Sequence, residues 1–320
     1  MFTTRHTART RELRMLAAGV LTFAHALLVH AASATLTVFV PDALAASELV
    51  QQLRATQGSG ERFELVRVDA AGNDAAPGTH APPAAPAEEN WAVAIGPAAA
   101  RQAIGRGGDE PLVLAMLSRI DYDRLKDNPG LHRSARRIGV LLREVPMRDQ
   151  LALIQAALPD KHRLGVVSTP AGDAVLRELR EAARGWVLQV EIAPDANSIG
   201  QALRAVLPRS DALIVLPDLI GDDPAATQAV LRSAASAGVP VFGSSEALVR
   251  SGGLAAVVAT PAQQALQARA LGRRLASAPP GVQVETPMPV SVRVNPTVAQ
   301  GLGLRLPSEH ELDQRVGRGR

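Results

Sequence analysis

Cysteine is absent from the 320 residues, so disulfides, thiolate nucleophiles, cysteine metal sites and a lipid-modified N-terminal cysteine are all excluded. Aromatic side chains are scarce, at five Phe, two Trp and one Tyr. Beyond residue 34 only Phe39, Phe63, Trp91, Tyr122, Trp186 and Phe242 remain. Sugar sites and nucleic-acid sites stack their ligands on aromatic faces, so the scarcity counts against both. Lysine is nearly missing as well: only Lys126 and Lys161 occur, and Arg carries the positive charge. The chain holds 34 basic and 31 acidic residues, of which residues 1–34 contribute four Arg and one Glu, so the remainder is formally neutral. A neutral body lacks the positive field that nucleic-acid binding requires.

Catalytic signatures are also missing. The histidines past the start are His80, His132, His162 and His310, and none pairs with another His or a carboxylate at metal-ligand spacing. Gly243-Ser244-Ser245-Glu246-Ala247 lacks the G-x-S-x-G spacing of a nucleophile elbow. The glycines at Gly96 and around Gly105 have neither the fingerprint nor the length of a nucleotide loop. The expectation is a protein that is not an enzyme and carries no cofactor or metal.

What is present begins with a targeting pattern. Arg5, Arg9, Arg11 and Arg14 form a basic region, Met15 to Ala31 is mostly apolar, and Ala32-Ser33-Ala34 offers a small-residue cleavage site. This predicts a signal peptide over 1–34, cleaved near Ala34, with the periplasm as destination by the general secretory route. Without a lipid-modified cysteine, the mature chain is expected to be a soluble monomer.

The most informative stretch runs from Asp211 to Gly253. It holds two apolar strands, Ala212–Leu216 and Val239–Phe242, which break at Pro217-Asp218 and at Gly243-Ser244-Ser245, with an amphipathic helix between them. Continuous apolar runs of this kind are parallel strands buried on both faces. Ligands of such sheets sit beyond the strands' carboxyl ends, where these Asp and Ser residues fall. Further strand-like runs occur at 36–40, 63–68, 91–95, 112–117, 138–142, 164–167, 187–192 and 255–258, mostly separated by segments of helical period. Repeated strand–helix units predict a mostly parallel sheet. Ten strands are many for one sheet, so the expected fold is α/β, with two Rossmann-like lobes of parallel sheet joined by a hinge.

The lobes are expected to comprise 35–145 plus 262–282, and 146–261 plus 283–320. A first crossing near Val145-Pro146 and the return of the helix Pro261–Ala278 to the first lobe set these boundaries. The stretch 70–89, rich in Ala and Pro, cannot bury apolar area and is expected to be a disordered surface loop. The run from Val282 to Val294 is split by Pro287 and Pro289, which confines it to an edge or a crossover.

Order and spacing resemble a known family. Asp211–Asp218, then Ala237–Gly243, Val249–Leu254 and the closing Val294–Pro307 resemble the periplasmic substrate-binding proteins of ABC transporters with the type I binding-protein fold. The likeness is to the tryptophan/tyrosine-type group and covers about residues 110–308. It implies a solute-binding protein that captures a small molecule between two lobes and delivers it to an inner-membrane ABC permease. The chain departs from the group after several strands, with Ser168-Thr169 where Asn is usual and Thr260-Pro261 where Asp is usual. Ligand identity therefore does not carry over.

Strand ends of both lobes supply the candidate ligand-binding residues. They are Asp42, Gly96, Pro97, Ser118 and Arg119 in the first lobe, and Ser168, Thr169, Asp218, Ser244 and Ser245 in the second. Arg119 can pair with a carboxylate and Asp218 with an ammonium, which favours an amino acid or a small organic anion. Ser244 and Ser245 also fit simple capping of a helix beginning near Glu246, and Asp218 with Asp222 and Asp223 fits a solvated helix start. Two other readings keep the same residues: an accessory or sensory binding subunit that signals to a membrane receptor, and an interaction protein with no ligand.

Overall fold

The computed structural model describes residues 34–69 and 90–318. The expected signal peptide before Ala34 and the Ala/Pro-rich stretch 70–89 lie outside them. Twelve strands are described: β1 (Thr35–Pro41), β2 (Arg62–Val68), β3 (Trp91–Ile95), β4 (Leu112–Leu117), β5 (Arg137–Leu142), β6 (Arg163–Ser168), β7 (Val187–Ile192), β8 (Ala212–Val215), β9 (Val241–Gly243), β10 (Ala255–Val258), β11 (Gly281–Glu285) and β12 (Ser291–Val294). They form two six-stranded sheets, ordered β11-β5-β4-β3-β1-β2 and β12-β10-β9-β8-β6-β7. Every pairing is parallel except that of β12 with β10.

Helices alternate with these strands. The first sheet carries α1 (Glu48–Ala55), α2 (Gly96–Gly105) and α3 (Arg119–Leu125). Then come α4 (Met147–Ala157), α5 (Asp173–Ala182), α6 (Ile199–Val206), α7 (Leu219–Asp222), α8 (Pro224–Ser236) and α9 (Glu246–Arg250). The chain closes with α10 (Pro261–Ser277), α11 (Pro296–Gly301) and α12 (Glu309–Arg318). Successive strand residues point to opposite faces, and both faces are covered. In the first sheet Leu36, Val38 and Val93 pack under α1 and α10, while Phe39, Ala92 and Leu114 pack under α2. In the second, Leu164, Val166 and Ile214 meet α4 and α5, while Val167, Leu213 and Val215 meet α6 and α8. Strands covered on both sides need no polar alternation, which is why their sequences read as unbroken apolar runs.

Two devices join the sheets. The segment after β5 passes through Val145 and Pro146 into α4 of the second sheet. The run 281–294 divides at its prolines into β11, an edge strand of the first sheet, and β12, an edge strand of the second. Between them α10 lies on the first sheet, held to α1 by the buried Arg269, whose guanidinium pairs with Glu61 at 2.8 Å and donates to the Leu53 carbonyl and Thr56 Oγ1. In the second sheet the short β9 leaves β10 partly unpaired, and Gln150 of α4 compensates. Its fully buried side chain donates to Val257 O at 2.7 Å and accepts from Val257 N at 3.0 Å.

Candidate binding cleft

The carboxyl ends of β4 and β5 face those of β8, β9 and β10 across a cleft of about 260 Å³. The first sheet contributes Met116, Arg143 and Glu144, and α10 adds Gln264. The second contributes Val215 to Pro217, Gly221, Asp222, Ser244 to Glu246, Leu248, Val258 and Ala259. Met116 reaches the cleft through a local irregularity in β4. The pairing with β5 shifts register between Ala115 and Leu117, and Met116 adopts φ 57°, a left-handed conformation that side-chain-bearing residues rarely hold. On the opposite wall Gly221 is obligatory for another reason: a Cβ there would lie 2.2 Å from Leu216 O.

Charges cross the cleft. Arg143 Nη2 donates to both carboxylate oxygens of Asp222, at the end of α7, and Arg143 Nε lies 3.3 Å from Glu144 Oε1. Burial works against the Arg143 charge, but the hydrogen bond and charge of Asp222, with the charge of Glu144, outweigh it and raise its pKa. Glu144 is 8% exposed, and burial pushes its carboxyl from 4.5 to about 7, against the opposing pull of Arg143 and of backbone donors. One of those donors is Arg119 N, 3.1 Å from Oε2. Glu144 also lines a second, small void at the crossing, together with Arg119, Val145 to Met147, Val175, Glu178, Pro217 and Thr286. There Arg119 Nε faces Glu178 of α5 at 3.5 Å, a second ion pair from one sheet's helices to the other's.

Of the residues expected from sequence, Ser244 and Ser245 line the cleft and Arg119 lines the void beside it. Ser245 caps α9 by accepting from Leu248 N at 3.2 Å, whereas the Ser244 hydroxyl is buried without a hydrogen-bond partner. Ser118 forms a capping box with Asp121 at the start of α3. Asp42 is exposed beside Arg67, and Gly96, at φ 82°, turns the chain from β3 into α2 with Pro97 behind it. None of these last four residues belongs to either lining.

The expectation that Asp218 meets a ligand ammonium does not fit its surroundings. Asp218 is fully buried, and its Oδ2 accepts from Thr169 N at 3.0 Å and from the Ser168 and Thr169 hydroxyls at 3.3 Å. Its Oδ1 accepts from Ile220 N and Gly221 N. Five donors of the chain saturate the carboxylate, so Ser168, Thr169 and Asp218 together tie the loop after β6 to the loop after β8. Ser245 likewise serves as the cap of the five-residue α9, as its sequence position allows. Arg143, Glu144, Asp222 and Gln264 were not singled out from sequence as binding residues. Arg143 and Glu144 immediately follow β5, so the strand-end rule that selected Asp218 reaches them too.

The family model for ABC transporter substrate binding proteins matches residues 87–312, well over half of the chain. The chain belongs to the ABC transporter substrate binding protein family. Solved structures share its fold, the two-lobed α/β type I periplasmic binding protein. An ABC domain from Streptococcus pneumonia in complex with L-Trp is 19% identical, with a TM-score of 0.58 over 86% of this chain and 96% of that one. A conserved domain protein from Vibrio cholerae is 20% identical, with a TM-score of 0.57 over 88% and 98%. The ligand-free, open structure of CD0873 from Clostridium difficile, a substrate binding protein with adhesive properties, is 15% identical, with a TM-score of 0.64 over 86% and 96%. No curated protein sequence matches the chain. The ABC transporter substrate binding proteins are binding proteins rather than enzymes, and among the described residues no cluster of His, Asp and Glu could hold a metal ion.

Proposed function

We propose that the protein is a periplasmic solute-binding protein that captures a small molecule between its two lobes and delivers it to an inner-membrane ABC permease. The observation that carries this reading is the cleft itself. Its walls come from the strand ends of both sheets, and the Arg143–Asp222 pair bridges them. A molecule held by both walls stabilises the state in which they face each other, and that state is what a permease would recognise. The lobes pivot about Val145-Pro146 and the crossover between β11 and β12.

Hydrogen exchange with a bound compound tests the location. Binding between the lobes slows exchange at 116–119 and 143–147 in one lobe and at 219–222 and 244–248 in the other. Protection confined to one lobe would refute the reading.

A further inference from the structure

The Arg143–Asp222 pair spans the cleft, yet its two members are not equally committed to it. Arg143 has a second acidic partner on its own side, Glu144, 3.3 Å from Nε. Among the described residues Asp222 has no alternative cation along the wall, because Arg143 is the only basic side chain of the lining. The other acid of that lobe's wall, Glu246, is engaged by Arg250 one turn further along α9, at 3.1 Å. A cation arriving at Asp222 would therefore displace a guanidinium that keeps a partner. An anion arriving at Arg143 would strand the Asp222 charge in a cleft that also holds Glu144 on the facing wall and Glu246 on its own. Like charges brought together in a partly buried cleft oppose binding, so the asymmetry favours a positively charged ligand group.

We infer that Asp222 reads a positive charge on the ligand, and that Arg143 is its internal stand-in, latching the empty cleft until the ligand's cation replaces it. This rests on the cleft being the solute site. The rest of the lining narrows the ligand class. Among the described residues no Phe, Tyr or Trp lies in the wall, and its apolar part includes Met116, Val215, Leu216, Leu248 and Val258. The Ser244 hydroxyl, buried without a partner, supplies one hydrogen bond beside them. The class is a small aliphatic ammonium compound with at least one polar group, rather than an aromatic compound or a dicarboxylate.

Two measurements on the full chain test this separately. Small-angle scattering of the ligand-free protein reports the latch. Asp222→Asn should have a larger radius of gyration than wild type, while Asp173→Asn, which breaks an exposed pair with Arg177, should superimpose on it. Identical profiles for Asp222→Asn and wild type would overturn the latch. Calorimetry then reports the charge class, with putrescine, L-lysine, L-leucine and choline as cationic or ammonium-bearing probes, and succinate, citrate and phosphate as anions. At least one of the first group should bind wild type and weaken tenfold or more in Asp222→Asn. An anion that binds wild type, and binds Asp222→Asn more tightly, would overturn the assignment while leaving solute binding intact. If neither group binds, the charge assignment falls with the solute-binding reading, and scattering still decides the latch.

Discussion

Thr169 N and Asp218 Oδ2 lie 3.0 Å apart, a buried contact that joins the loop after β6 to the loop after β8. Gly172 packs so closely against this junction that a Cβ on it would lie 2.6 Å from Ser168 Oγ and 2.7 Å from Asp218 Oδ2. Asp218→Ala would leave buried donors unanswered and should cost roughly 2–4 kcal/mol of stability. Asp218→Asn should also destabilise, because an amide NH₂ cannot accept from the donors it would face. Ligand affinity in whatever fraction remains folded should be nearly unchanged. Urea unfolding and a binding isotherm on the same variants check both halves.

Glu144 makes stability depend on pH. Its folded pKa, about 7, lies above its ordinary 4.5, so the folded chain holds the proton more tightly than the unfolded chain does. The associated stability is fully present below pH 4.5 and is lost as pH rises towards 7, up to about 3 kcal/mol. Glu144→Gln should therefore be more stable than wild type at pH 8 and close to it below pH 4.5. Denaturant titrations at the two pH values measure the difference directly.

Arg269 should be the most costly charge to remove. Its guanidinium is 3% exposed and joins Glu61, Thr56 and the Leu53 carbonyl while lying over the Trp91 ring. Arg269→Ala leaves the largely covered Glu61 carboxylate without its ion partner and should cost roughly 3–5 kcal/mol. The melting temperature should fall by about 10 °C in a domain of this size. Arg274→Ala, whose pair with Glu285 is more exposed, should cost under about 1 kcal/mol.

Gln150→Leu tests the polar plug of the second sheet. It leaves an apolar side chain one atom shorter and removes both hydrogen bonds to Val257. The loss should be roughly 2–3 kcal/mol, since a buried N–H and a buried C=O are left without partners. Exchange of the Val257 amide should accelerate along with it.

The fold was legible because its strands are apolar on both faces and bounded by small polar residues. All the runs read as strands are strands, including the pair into which Pro287 and Pro289 divide the last one. At the helix starts, Thr260 and Asn295 cap α10 and α11, each immediately before a proline. Site residues were harder, for a geometric reason. A strand-end rule names the first polar residue past each strand, but a residue there can turn inward. Asp218 turns back into its own loop, whereas Asp222, four residues on at the end of a single helical turn, reaches the cleft. Met116 sits inside a strand-like run and reaches the cleft only because β4 breaks register at that point, which no periodicity signals.

The central claim is that a small molecule binds the folded protein, and a thermal-shift screen of the purified chain tests it most directly. A compound that binds only the native state raises stability by RT ln(1 + [L]/Kd), about 2.7 kcal/mol at a hundredfold excess over Kd. Amines, amino acids, organic acids, sugars and nucleosides should be compared at one concentration. The account predicts a saturable rise for one chemical class, led by ammonium-bearing aliphatic compounds. A cooperative melt that no compound moves would contradict it.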